Sequence, residues 1–92
     1  MSIQERFEKY HSDNPIVYET LVKLAREAKR AGKTKIGVKL LVETTRWELM
    51  LRVDTDEEFK INNSFSSRYA RLIMEKEKDL NGFFNLKMLK SA

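Results

Sequence analysis

Between Pro15 and Gly32 the chain carries one uninterrupted apolar stripe. Val17, Leu21, Leu24, Ala25 and Ala28 fall at i, i+4, i+7, i+8 and i+11, one face of a helix with about 3.6 residues per turn. The punctuation agrees with the period. Pro15 suits the first turn, where its missing N–H has no partner to lose, and Asp13 or Asn14 stands where a cap is wanted. Lys29 and Arg30 complement the negative end of the helix dipole. Gly32 takes the position just past the end, where a left-handed backbone is common. A helix of this length needs a core to lie on, so the other elements must supply one.

They can supply only one. Ninety-two residues make a single small domain that buries about two thirds of its unfolded surface, here 1–92 with 1–12 as an N-terminal helical extension. Ile3 to Tyr10 reads as a short helix anchored by Phe7 and Tyr10. Lys33 to Ile36 is an extended link, and Gly37 can cap a third helix with the stripe Val38, Leu41, Val42, Thr45 and Leu49. Leu49 to Val53 turns extended before the acidic DTDEE. Trp47 lies off the stripe with Leu40 and Leu51 near it. As the one tryptophan it reads as the largest piece of a thin core, with Arg46 lying over a neighbouring ring. On that reading Trp47→Ala costs about 3 to 5 kcal/mol.

Phe59 and Ile61 alternate with Lys60 as a short strand. Asn62, Asn63 or Ser64 then caps a helix reaching about Lys78, with Phe65, Tyr69, Leu72 and Ile73 inward. Asn81-Gly82 is a turn, after which Phe84, Leu86 and Met88 alternate with Asn85 and Lys87 as a closing strand. The expected class is mainly α with a small β-sheet (α+β), arranged as a winged-helix-like domain. A helical bundle with a C-terminal strand is the alternative.

Composition narrows function by exclusion. There are no cysteines, which removes disulfides, zinc thiolates, iron–sulfur clusters and thiol nucleophiles. One histidine and three glycines leave no HExxH, GxSxG, P-loop or dinucleotide motif, so neither an enzyme nor a cofactor site is expected. Asp54, Asp56, Glu57 and Glu58 lack the glycine and distant glutamate of a calcium loop, and no metal is expected. No apolar run has the 18 residues or so of a membrane span, and MSIQERFEKYHSD has no signal-peptide centre. A cytoplasmic setting is expected.

Charge points to a polyanion. The net charge is +4, and it is segregated along the chain. Lys23 to Lys39 holds seven bases (Lys23, Arg26, Lys29, Arg30, Lys33, Lys35 and Lys39) against Glu27, whereas Asp54 to Glu58 holds four acids. KINNSFSSRYARLIMEK, residues 60 to 76, then reads as a helix that meets duplex DNA. Asn63, Ser64, Ser66 and Ser67 are short donors and acceptors at its start, and Arg68 and Arg71 lie to one exposed side. Lys87 and Lys90 face outward on the last strand, where a wing would carry them. Lys33 and Lys35 add phosphate contacts that carry no sequence information. Capping alone accounts for the same Asn and Ser residues. A second class of function is a protein-interaction module that inhibits or adapts a host protein through the acidic turn and Tyr10, Tyr18 or Phe83. A homodimer is compatible with either.

Five stretches carry a resemblance: Asn14-Pro15-Ile16-Val17-Tyr18, Arg46-Trp47-Glu48, FKINN at 59–63, YARL at 69–72 and GFF at 82–84. Together they resemble a group of small, mostly uncharacterised phage and prophage proteins over nearly the whole chain. The group brings no established activity. What the resemblance implies is a phage-borne accessory protein acting in a bacterial cytoplasm. The chain departs from the group at LKMLKSA, where members often have a more basic tail, which weakens a contact made by a wing.

Overall fold

The computed structural model describes residues 2–52 and 61–85. Four helices dominate: α1 (Ile3–Asp13), α2 (Pro15–Arg30), α3 (Val38–Arg52) and α4 (Ser66–Lys76). Two-residue strands, β1 (Ile36–Gly37) and β2 (Phe84–Asn85), make the sheet. The class is therefore mainly α with a small sheet, as expected.

Local chemistry sets the helix ends. Ser2 and Glu5 form a reciprocal capping box at the start of α1, satisfying two N–H groups that the helix cannot reach. Asn14 ends α1 and begins α2. Its backbone N–H and its side-chain amide both donate to the Tyr10 carbonyl, at 2.9 and 3.0 Å. It thus closes α1 and leaves the start of α2 to Pro15. Asp13 is no cap; it pairs with Lys9. At the far end of α2, Gly32 has φ +95° and donates to the Lys29 carbonyl.

The core lies where α2, α3 and α4 meet. Val17, Leu21, Leu49, Tyr69, Ile73 and Leu80 are all inaccessible to solvent. α2 and α3 pack most extensively, using the stripes read from the sequence: Val17, Leu21 and Ala25 against Leu41, Val42, Thr45 and Leu49. α1 is fastened by aromatic edges, the Phe7 ring standing 4.7 Å from Tyr69 and 5.7 Å from Phe65, and Tyr10 5.4 Å from Phe65.

Two local expectations change. α3 stays helical to Arg52 instead of turning extended at Leu49, because Leu49 is a core residue of the helical stripe. Ile61 is buried but belongs to no strand, and a 3-10 turn at Asn63–Phe65 leads into α4, which ends at Lys76. The sheet is also not a hairpin. β1 and β2 run parallel, Ile36 opposite Phe84 and Gly37 opposite Asn85. A parallel pair requires a long crossover, here the whole α3–α4 segment. Among the described residues there is no antiparallel wing. The proposed strand at Phe59, the acidic turn and the end of the closing strand lie outside the described residues.

Candidate docking face and basic surface

α3 is apolar on two sides. Its inward stripe is consumed by the core, yet Leu40, Trp47 and Leu51 are 67%, 59% and 64% exposed, with Met50 at their edge. At about 100° per residue these three fall within roughly 40° of one another, on the side of α3 away from the core. The row extends over about 16 Å. Trp47 is thus an outward residue and no core piece, contrary to the sequence reading. Leu41, Val42, Thr45 and Leu49 already fill the space against α2 and α4, and the helical period carries position 47 away from it.

The flanks of this face are electrostatically settled. Glu43 pairs with Arg46 at 2.9 Å and Glu48 with Arg52 at 3.0 Å. Thr44 sits between Leu40 and Trp47, its hydroxyl donating to the Leu40 carbonyl at 2.9 Å. Among the described residues, Arg46 lies over no ring. Its guanidinium donates to the Ile61 carbonyl and, at 3.4 Å, to the Asn63 side chain, fastening the chain to α3 where it enters the 3-10 turn.

That turn uses the polar residues assigned to nucleic acid. The Asn62 carboxamide oxygen accepts from the Ser64 N–H at 2.9 Å and from the Ser64 hydroxyl at 2.7 Å. Asn63 receives Arg46. Ser66 and Ser67 are half-buried, as is Arg68, whose Nε is buried with no partner among the described residues. Arg71, Lys33 and Lys35 are exposed. Lys87 and Lys90 lie outside the described residues. Arg68 and Arg71 therefore do not form one exposed pair, since Arg71 is exposed and Arg68 is half-buried.

The basic run is divided too. Arg26 binds Glu77 at 2.8 Å and Asp79 at 3.1 Å, and Lys29 donates to the Asp79 carbonyl. The Arg26 guanidinium beside Asp79 holds that carboxyl below its ordinary range. Glu77 also accepts from the Tyr18 hydroxyl at 2.7 Å; burial first, then this bond, push the Tyr18 phenol up. These contacts tie α2 to the turn after α4. They leave Lys23, Arg30, Lys33, Lys35 and Lys39 exposed, with no ion pair among the described residues.

The aromatic side chains expected to meet a protein partner differ in exposure. Phe83 is buried, and Tyr10 and Tyr18 are half-buried in the aromatic contacts of α1 and α2. The residues that sequence reasoning missed as a site are Leu40, Trp47 and Leu51. The signal was present in their spacing of seven and four along a helix whose inward stripe was already complete.

Fold and surface together define a class: a small, mainly α domain whose third helix is apolar on both its core side and its solvent side. Among the described residues, no helix is long and apolar enough to cross a membrane. No protein family, no curated protein and no solved structure matches the chain.

Proposed function

We propose that this protein is a non-enzymatic interaction module that docks another helix on the outer face of α3. The resemblance to small phage and prophage proteins supports a bacterial host as its setting. One observation carries the reading: Leu40, Trp47 and Leu51 are exposed in a row on one helix. Scattered apolar residues are normal on a surface, but a contiguous patch centred on a tryptophan is what interaction sites look like. The test places a photoreactive amino acid at position 47 and irradiates the protein in a bacterial cell. A protein adduct is expected, and Leu40→Glu with Leu51→Glu should remove it. Cross-linking no greater than from exposed position 27 on α2 overturns the reading.

A second reading rests on a different observation. Lys33, Lys35 and Lys39 form an exposed, acid-free row through the α2–α3 link, and Arg71 is exposed on α4. Such cations support weak, sequence-independent binding to duplex DNA, with dissociation constants of about 10⁻⁴ to 10⁻⁶ M near physiological salt. A gel shift at two salt concentrations should weaken with salt and with Lys33→Glu/Lys35→Glu. No shift from folded protein at low salt rules it out.

A further inference from the structure

We propose that the helix received by the outer face of α3 is α3 of a second copy, laid antiparallel, so that the module is a weak two-fold dimer. The inference rests on the docking reading above and names its occupant.

Leu40, Thr44, Trp47 and Leu51 are separated by four, three and four residues. That is the alternation of a coiled-coil seam, in which each apolar knob enters a hole on the facing helix. The series reads the same in both directions. Turned end over end, the row therefore matches itself: Leu40 meets Leu51 of the partner subunit, and Trp47 meets Thr44 of the partner subunit. Large faces small twice, and leucine faces leucine twice. A two-fold interface requires such self-complementarity, because each subunit presents the same patch.

Polar chemistry does not oppose the pairing. The Thr44 hydroxyl is already spent on the Leu40 carbonyl at 2.9 Å, so an indole laid over it strands no donor. Glu43 is paired with Arg46, and Glu48 with Arg52. The flanking charges thus meet a second copy already neutralised within their own chain. A row of four side chains on a three-turn helix covers less than the roughly 800 Å² per partner of a standard interface. The dimer is accordingly weak, with a dissociation constant of about micromolar or above.

The absence of cysteine from the sequence makes register directly measurable. Leu40→Cys and Leu51→Cys proteins are prepared separately, mixed and oxidised. The antiparallel pair predicts that the 40–51 cross-link exceeds each of 40–40 and 51–51 by far more than the roughly twofold ratio of random pairing, and that random ratio overturns the register. Sedimentation of the full chain across concentration should show a monomer–dimer equilibrium, weakened at least about tenfold by Trp47→Glu. Trp47 emission should shift to the blue as concentration rises. Leu40, Trp47 and Leu51 all lie outside the core, so the circular dichroism of these variants should stay native. A monomer at every concentration overturns the dimer. If position 47 still cross-links to a different protein, the docking reading survives that failure; if it does not, both fall. Preferred 40–40 cross-links overturn the antiparallel register. A blue shift produced only by phosphatidylglycerol vesicles, with no self-association, overturns the dimer in favour of a membrane surface.

Discussion

Replacing Trp47 by alanine separates the structure from the expectation that composition alone raises. A buried tryptophan removed from a core costs about 3 to 5 kcal/mol, comparable to the whole stability of a small domain. Trp47 is 59% exposed, so only the remaining two fifths or so of its contact is lost. Scaling the buried figure by that fraction leaves about 1 to 2 kcal/mol. Alanine then returns up to about 0.7 kcal/mol as the better helix former. The net cost is about 0.5 to 1.5 kcal/mol. In a domain of this size each 1 kcal/mol or so lowers the melting temperature by roughly 4 to 8 °C. The assay is thermal and urea unfolding by circular dichroism at low micromolar protein, where self-association contributes least. Leu49→Ala is the internal standard: Leu49 is fully buried on the same helix and should cost about 2 to 5 kcal/mol. If Trp47→Ala destabilises as much as Leu49→Ala, the outward placement of Trp47 is wrong and the docking face goes with it.

Gly32→Ala should cost about 1 to 2 kcal/mol in urea unfolding, because φ +95° puts a side chain in left-handed backbone; an unchanged midpoint would contradict that backbone. Arg71→Ala should alter stability by less than about 0.5 kcal/mol. Arg68→Ala should cost more, through the lost packing of its half-buried stem, and equal melting temperatures for the two would show that Arg68 is exposed as well. His11 is packed against Phe7, Tyr18 and Tyr69, and burial first, then Lys76, hold its pKa below the ordinary 6.5. Because the native state prefers the neutral ring, this contribution is complete above about pH 6.5 and is lost as pH falls through the lowered value. His11→Gln should therefore flatten the fall in melting temperature between pH 8 and pH 5, and parallel curves for the two proteins would refute the assignment.

α2 was legible in the sequence because every signal on it is local: Pro15 opens it, Gly32 closes it, and the stripe between them has one period. The Asn81-Gly82 turn was legible for the same reason, glycine being the residue that accepts φ +78° there. The inward stripe of α3 was legible too, but the destination of Trp47 was not. Hydrophobicity states that a side chain gains by leaving water; it does not state whether its own core or another chain will receive it. That was decided by α2 and α4, which fill the space against Leu41, Val42, Thr45 and Leu49 and leave Leu40, Trp47 and Leu51 outside. The same holds for the polar residues. Arg26 and Arg46 read as surface chemistry in a row of letters. Tertiary structure brought Glu77 and Asp79 to Arg26, and the Ile61 carbonyl and Asn63 to Arg46; the bonds from Ser64 to Asn62 are local, of the capping kind the sequence already offered. Sequence determines where a helix can form and which face is apolar. Which charges are neutralised, and which apolar face is left over, depends on pairs as distant as Arg26 and Asp79, and only packing decides that.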